Sequence, residues 1–426
     1  PNIVFNLREG NSLIGYTGFP ETTDNGEYTL GSFNEDSVRD RYHDIIAEIE
    51  RHEQAIDSET AEKHRQQAFE KLQNARKELN ADIHGDFVTA GIEDITTETV
   101  ADMEPFNWVL EFAEVYADGG FDVVIGNPPW DQVKPRRDEF FSRHEPRFRS
   151  LSLNERDNLI RDLLESEEIR EGWEDYQRKS EIQGTFFTKS ESFELQSSIV
   201  DGRTRRTANE LAALFLERIF QIARSDGHVS LVLPGLIWQG LSTKSLRMHL
   251  LDESTIKSLI TFENKGIFDN IDDRYTFGIV TFENRGTTGA LRGISKQRDT
   301  DVLQDFEQRV FEIPREVLTE YSPEGRIFPQ VQSAEEVATL RRILRHPHLD
   351  DTDQPWFALP YMELRQTTDS DRMVERESEG DYPVIGGSNV YQYTPDATFY
   401  DLEDPDLWSV EESADPDLSA KRRIRE

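Results

Sequence analysis

Short apolar runs and amphipathic stretches take turns along the middle of this chain, and that rhythm predicts its architecture. Phe121-Asp122-Val123-Val124-Ile125-Gly126 is a nearly continuous apolar run ending in glycine, the pattern of a strand buried on both faces. His228 to Pro234, Ile256 to Phe262 and Tyr275 to Phe282 read as three further strands. Between the first two, Thr207 can cap a helix running to about Arg224, with Leu211, Leu214, Phe215, Ile219 and Ile222 on one face and Asp226-Gly227 as its stop. A second helix is predicted near 242–251. Alternation of strand and helix from 121 to 262 implies an α/β fold with a parallel sheet. The last two strands are close in sequence and are expected to form an antiparallel hairpin at an edge.

The flanks read differently. Ile3 to Leu7 is predicted as a strand, Gly10-Asn11-Ser12-Leu13-Ile14-Gly15 as the loop leaving it, and residues 20–35 as loop. Residues 36–80 carry apolar positions at helical spacing (Val38, Tyr42, Ile45, Ile46, Ile49, then Ala68, Leu72, Ala75, Leu79), which predicts a helical hairpin or one long helix. Residues 105–118 are short and strongly apolar, and Gly119-Gly120 supplies a turn. Residues 154–180 read as polar helix, 181–206 as irregular, and 334–346 as a clear helix. Pro347 and Pro355 mark a linker, beyond which 356–410 are rich in Tyr, Pro, Gly and Asp, with β-like runs such as Tyr382 to Gly387.

Composition sharpens this picture in two ways. Cys is absent, which removes disulfides and thiolate metal sites, and no apolar run approaches the length of about 18 residues that spans a bilayer, so a cytoplasmic protein is expected. Asp and Glu number 84 against 48 Lys and Arg, a formal charge of −36. Carboxylate excess with Arg favoured over Lys suits a high-salt cytoplasm, where screening relieves self-repulsion; an acidic mesophile protein is the alternative. Basic residues nevertheless cluster locally: Lys134, Arg136, Arg137, Arg143, Arg147 and Arg149; then Arg203, Arg205 and Arg206; then Arg341, Arg342 and Arg345. Each could be a solvated helix face, and each could meet a polyanion.

The chemistry points to the segment that follows the first strand, Asn127-Pro128-Pro129-Trp130. In an open parallel sheet, ligands sit beyond the carboxyl ends of the strands. The prolines fix φ and have no N–H, so the loop is stiff and its carbonyls are free to accept. Asn127 adds a carbonyl oxygen on a short side chain. Two acceptors on a rigid loop suit a planar amino group, and Trp130 offers a flat face to a base. The arrangement fits the exocyclic amine of a flipped base, held so that its lone pair faces an electrophile. Burial of the Asn127 amide with no cleft beside it would remove this reading.

Phe121 to Trp130, with Phe106-Asn107-Trp108-Val109-Leu110-Glu111-Phe112-Ala113-Glu114-Val115-Tyr116 upstream, resembles the amino-methyltransferase motif of large adenine-N6 DNA methyltransferases. The resemblance is to the fused restriction–modification (type IIG) enzymes and the methyltransferases of BREX phage-defence systems. It extends over roughly residues 1–285. It implies a Rossmann-like class I methyltransferase sheet, incomplete here, with S-adenosyl-L-methionine as cofactor and double-stranded DNA as partner. Asn127, Pro128, Pro129 and Trp130 would then be catalytic, and Asn11 matches the position that contacts the cofactor's adenine, a plain turn being the alternative. Lys134, Arg136 and Arg137 would meet DNA. Tyr275 and Phe277 resemble the segment that lends an aromatic to the far side of the flipped base, a core role being the alternative for both.

The implied organisation is a partial catalytic core at 1–19 and 105–290, a helical insertion at 20–104, a helical linker at 291–350, and the start of a target-recognition domain at 351–426. The family's Gly-rich cofactor loop, and the acidic residue that holds the ribose, would precede Asn11. The chain is therefore expected to be a fragment whose partner is the missing N-terminal part of the same enzyme. Asp252 and Glu263-Asn264-Lys265 imitate a nuclease's carboxylate–lysine pattern. Two rival functions stand beside this one: a methyltransferase of the same motif acting on RNA or a protein glutamine, and a catalytically inactive DNA-binding remnant.

Overall fold

The computed structural model describes residues 7–18, 35–55, 57–269, 271–351, 353–358, 373–375, 382–384 and 408–410. The expected strand at Ile3 to Leu7 and the loop at 20–35 lie almost wholly outside these residues. The chain divides into two compact units, Pro1–His346 and Pro347–Glu426, at the first of the two prolines that mark a linker.

In the first unit the elements run α1 (Glu35–Gln54), α2 (Ser58–Thr89), α3 (Thr97–Asp102), α4 (Trp108–Glu111), α5 (Ala113–Ala117), β1 (Phe121–Gly126), α6 (Arg137–Phe141), α7 (Leu153–Leu163) and α8 (Glu167–Lys189). There follow β2 (Ser197–Val200), β3 (Arg203–Arg206), α9 (Leu211–Ile222), β4 (Ala223–Pro234), α10 (Leu236–Gln239), α11 (Lys244–Asp252), β5 (Thr255–Glu263) and β6 (Thr276–Glu283). The unit ends with β7 (Ala290–Gln297), α12 (Phe306–Arg309), β8 (Phe311–Pro314), α13 (Arg315–Tyr321) and α14 (Ala334–Ile343). In the second unit β9 (Met373–Glu375), β10 (Tyr382–Val384) and β11 (Trp408–Val410) form an antiparallel sheet in the order β10-β11-β9.

The main sheet is mixed, with strand order β1-β4-β6-β5-β7-β8. β1 runs parallel to β4, and β5 parallel to β7, while β6 lies antiparallel to both β4 and β5. β1, β4, β5 and β7 therefore point the same way. The α/β class follows the expectation, but the β5–β6 hairpin lies inside the sheet. β6 inserts between β4 and β5 because both of its edges find partners: Leu231 and Leu259 both align with Val280. Val229, Leu231, Leu233, Val280 and Phe282 are almost wholly buried and form the core with α9 residues such as Ala213 and Leu216.

Three expectations are corrected. β1 is not buried on both faces: it pairs only with β4, and Val123 and Ile125 are 56% and 78% exposed. An apolar run reports a need for cover, and among the described residues this edge has none. Residues 291–350 are not a purely helical linker, since β7 and β8 extend the sheet and Leu291, Ile313, Val317 and Leu318 join its core. Finally, 181–206 holds the end of α8 and the β2–β3 hairpin, and Thr207 does not cap α9. Glu210 is the N-cap residue, while the Thr207 hydroxyl donates to the Gln196 carboxamide at 2.7 Å. Gln196 is buried, and its amide nitrogen in turn reaches Glu217 and the Ala213 carbonyl, so the hydroxyl serves a core network rather than a helix end.

The segment expected as a helical insertion holds a hairpin of two helices, α1 and α2, whose apolar face (Ile45, Ile49, Ala68, Leu72, Ala75, Leu79) packs on Val109, Leu110 and Ala113. Burial of that face is what holds a pair of otherwise polar helices. Glu111 is 2% exposed and receives a bidentate pair of bonds from Arg76 at 2.5 and 2.6 Å, which ties α2 to α4. The segment 105–118, apolar in sequence, forms the two short helices α4 and α5 that carry these contacts.

Asp86 on α2 accepts the Tyr16 hydroxyl at 2.6 Å. Burial first, and then the charge of Asp82, push its carboxyl up to about 6, although the Tyr16 bond pulls the other way. An unfolded Asp titrates near 3.9. The folded state thus favours the neutral carboxyl: that contribution is complete below about pH 4 and is lost as pH rises through about 6. Asp86→Asn, which keeps an acceptor for Tyr16, is expected to stabilise the protein by about 1–2 kcal/mol at pH 8. The gain in thermal midpoint should shrink to nothing near pH 4; an equal gain at both pH values would show that charge burial is not its source.

Candidate active site

Parallel direction decides where the chemistry gathers. Asn127 follows β1, Gly235 follows β4, Asn264 follows β5, and Tyr275 precedes the opposed β6, so all four lie at one edge of the sheet. Two adjoining clefts open there. The first, about 430 Å³, is lined by Asn127, Pro128, Pro129, Trp130, Phe268 and Tyr275, among others. The second, about 700 Å³, shares Trp130 and Tyr275 and adds Lys134, Arg136, Glu210 and Arg274. Both volumes fall within the range of about 300–1,000 Å³ typical of small-ligand sites.

Asn127 is exposed, Pro128 is buried and Pro129 is exposed. Pro128 anchors the turn while its neighbours face the cleft. Among the described residues the Asn127 carboxamide makes no hydrogen bond, so its oxygen is available to a ligand. The condition that would have removed the flipped-base reading is not met. Downstream, Leu211 donates to the Asp131 carbonyl at 2.8 Å and Val133 to the Asn209 carbonyl at 3.0 Å. The turn is thereby held between β1 and the start of α9.

Trp130 is half-buried. Its ring meets Phe268 edge-on at 5.6 Å and Phe277 at 5.8 Å, and its indole Nε1 is buried without a partner among the described residues. One side of the indole is therefore committed to packing, and what remains lines both clefts. Tyr275 is 55% exposed and also lines both. Phe277, expected as a base-contacting aromatic, is a core residue. It is 3% exposed and stacks on Phe262 at 5.0 Å, because the β6 pleat turns it inward beneath Trp130.

The loop between β5 and β6, which carries Phe268 and Tyr275, is held from within by Asn264. This residue is fully buried; its amide nitrogen donates to the carbonyls of Phe268 (3.2 Å) and Ile271 (2.8 Å), and its oxygen accepts from the Phe268 N–H (2.8 Å). Asn264 belongs to the nuclease-like pattern of the sequence, and its role here is to shape the cleft wall. The other members of that pattern are dispersed: Asp252 pairs with Arg315, Glu263 with Arg298, and Lys265 with the Asp273 carbonyl. Among the described residues no group of His, Asp or Glu could hold a metal ion. The buried Asn264 amide could not have been distinguished in sequence from any polar residue at a strand end.

Gly235 shows how closely the strands meet at this edge. Its N–H donates to the Thr276 carbonyl at 2.7 Å, and a Cβ there would lie 1.9 Å from the Thr276 hydroxyl. Only glycine fits where β4 ends against the start of β6.

The basic residues divide. Arg136 pairs with Asp131, Lys134 reaches the Gln132 carboxamide at 3.1 Å, and both line the second cleft. Arg137 is 67% exposed at the start of α6, lies 3.4 Å from Asp157, and lines neither cleft. Arg274 holds Asp272 through bonds of 2.8 and 2.7 Å, and that guanidinium keeps the Asp272 carboxyl well below the usual carboxylate range. The wall is thus charged but internally compensated. Glu210, which accepts the Gln132 amide at 2.7 Å, has its carboxyl raised by burial.

Asn11 also lines neither cleft. Its oxygen accepts the Leu13 N–H at 3.2 Å, an Asx turn, and its N–H donates to the Glu104 carbonyl at 2.6 Å. The turn is fastened by the Trp108 indole on the Ser12 carbonyl (2.9 Å) and by the buried Arg218 on the Leu13 carbonyl (2.7 Å).

Similarity to known proteins covers part of the chain. No curated protein matches it. Among solved structures, a chain from a type I restriction–modification system shares 14% identity at a TM-score of 0.30, covering 57% of this chain and 45% of that one. A modification subunit of a type I restriction enzyme from Vibrio vulnificus YJ016 shares 13% at 0.30, covering 58% and 46%. The EcoKI M protein shares 12% at 0.25, covering 34% and 44%. This chain spans less than half the length of each. The Eco57I restriction-modification methylase family matches over residues 51–156 and 176–268, a range that holds β1, the Asn127–Trp130 turn, α9, β4 and β5 and omits most of α7 and the start of α8. Over those two segments the chain is similar to the restriction-modification methylases.

Proposed function

We propose that this chain is the catalytic portion of an S-adenosylmethionine-dependent, adenine-specific DNA methyltransferase of a restriction–modification or phage-defence system. The observation that carries the reading is the unengaged Asn127 carboxamide on a proline-stiffened turn, opening into a cleft whose walls include Trp130 and Tyr275. The Asn127 oxygen and the adjacent backbone carbonyls would accept the two N6 protons of a flipped adenine. Held in this way, the amine would present its lone pair to the methyl group as the sulfonium–methyl bond breaks and a neutral thioether departs, the surplus amine proton passing afterwards to solvent; positioning and electrostatics would supply the catalysis. Trp130 and Tyr275 would contact the base plane, and their stacking offsets the few kcal/mol that base extrusion costs, at about 1–3 kcal/mol per stacked base.

The cofactor supplies the electrophilic methyl group. Asn11 is the residue proposed to contact its adenine; with its oxygen engaged by Leu13, its amide nitrogen is the group available for that contact. The open edge of β1, with Val123 and Ile125 exposed, supports a further segment of the same enzyme pairing there. Lys134 and Arg136, and Arg137 beyond them, would lie along the DNA, and residues 351–426 would begin the target-recognition domain. The same open edge favours a second reading for the chain in isolation, a catalytically silent DNA-binding piece.

The test is transfer of labelled methyl groups from S-adenosylmethionine to duplex DNA by the intact enzyme in molar KCl. N6-methyladenine is the expected product. Label appearing instead in RNA or on a protein amide would replace the substrate assignment, and no transfer to any of them would leave the silent reading.

A further inference from the structure

The second basic cluster in the sequence, Arg203, Arg205 and Arg206, is not used by the cleft. The three arginines form almost the whole of β3, the outer strand of a two-stranded ribbon with β2. All four residues of β3 are exposed. Among the described residues, none of the three guanidinium groups has a hydrogen bond or an ion pair. Carboxylates outnumber basic groups 84 to 48, and arginines such as Arg65, Arg147, Arg224, Arg285 and Arg309 each sit on a carboxylate; others such as Arg143 and Arg170 also lack a partner among the described residues, but β3 gathers three such groups within four residues. Three neighbouring like charges left uncompensated repel one another unless an anion comes from outside.

The ribbon is a built feature. Its inner face is anchored: Ser198 is buried and bonds the Ser242 carbonyl (3.0 Å) and Ser245 hydroxyl (3.1 Å), the Ser245 hydroxyl donates to the Ser197 carbonyl (2.8 Å), and Val200 is 1% exposed. Ser242 lies between β4 and α11 and Ser245 in the first turn of α11, in the segment that follows the cleft end of β4. The chain leaving β3 runs through Thr207 to Glu210, which borders the second cleft and bridges to Gln132. A rigid cationic ribbon therefore stands beside the clefts and is continuous with their rim. By register Arg203 and Arg205 share the face of Val200 and Ser198 but lie on the uncovered outer strand, Arg206 lies on the opposite face, and four residues of strand extend about 14 Å.

We infer that the β2–β3 ribbon is a clamp for the phosphate backbone of duplex DNA, set beside the cleft that takes the target base. The inference rests on the DNA reading of that cleft and adds the surface that holds the flanking duplex. A phosphate backbone offers the one kind of partner that matches several unpaired guanidinium groups at once without reading sequence.

The experiment is DNA binding by the intact enzyme, with affinity for a duplex measured across a series of KCl concentrations. Replacing all three arginines (Arg203→Ala, Arg205→Ala, Arg206→Ala) is expected to flatten the log–log salt dependence by about 2–3, near 0.9 for each phosphate that the ribbon no longer neutralises. The all-lysine variant at the same positions should keep most of the slope, because point charges suffice for phosphates. Circular dichroism should be unchanged in both, since Ser198 and Val200 keep the ribbon seated. Duplex binding with an unaltered slope in the alanine variant would overturn the clamp and leave the DNA reading intact; an acidic protein partner would then be the occupant. Failure of the unmodified enzyme to bind duplex at all would overturn both.

Discussion

Asn127→Ala is expected to lower methyl transfer by the intact enzyme by about 10²–10³-fold or more, the scale of removing one preorganised polar group from a reacting centre. That corresponds to about 3–4 kcal/mol of transition-state stabilisation. The loss should fall on kcat rather than on DNA affinity, because in the proposed arrangement the ribbon and the basic rim would hold the duplex independently of this side chain. Thermal stability should be unchanged, since Asn127 is exposed and makes no side-chain hydrogen bond among the described residues. Asn127→Asp keeps an acceptor oxygen at the same reach and should retain more activity than Ala. Turnover of the alanine variant within a few-fold of the parent would show that the carboxamide does not hold the reacting amine.

The second large effect concerns stability. Arg247 on α11 is fully buried and, among the described residues, pairs with no carboxylate. Its guanidinium donates instead to the carbonyls of Ile237 (2.6 Å), Gly240 (2.7 Å), Gly325 (2.6 Å) and Arg326 (2.6 Å) and to the Thr243 hydroxyl (2.7 Å). Burial pulls the group down to about 9, so it stays charged at neutral pH. A buried cation is tolerated only when its donors are used. Here they staple the turn after β4, from which Gly235 and Leu236 line the second cleft, to residues 325–326. Arg247→Met fills much of the volume but leaves these acceptors unpaired, at about 1–3 kcal/mol for each that water cannot reach. A net loss of about 3–5 kcal/mol is expected, and with it a fall in thermal midpoint of about 5–10 °C. A midpoint within about 1 °C of the parent would mean that the turn reorganises freely and that Arg247 is not its staple.

Both cases show where sequence and tertiary structure part company. Asn127 was legible because its signal is local: an apolar run, a glycine and two prolines specify a strand, its end and a stiff turn over adjacent positions. The helices of the insertion and α9 were legible for the same reason, since a period of 3.6 is read within one segment. Arg247 was invisible, because an arginine in an amphipathic helix reads as solvent-facing until 78 or 79 residues of intervening chain bring Gly325 and Arg326 against it. The cleft-shaping role of Asn264 was equally invisible, and of the two roles open to Phe277, base contact or core, the structure gives the core, under Trp130.

By itself, then, the amino-acid order determined the α/β class, the strand that carries Asn127, and the stiff turn that follows it. Tertiary structure decided that β6 enters between β4 and β5, that β1 keeps an open edge, that Tyr275 faces the cleft while Phe277 does not, and that three arginines share one exposed ribbon. The physical reason is range. Periodicity and turn chemistry are set by neighbours within about one or two helical turns or a strand's length. Strand order, burial and the pairing of charges are set by whichever distant segments win the shared surface, and no local pattern encodes that competition.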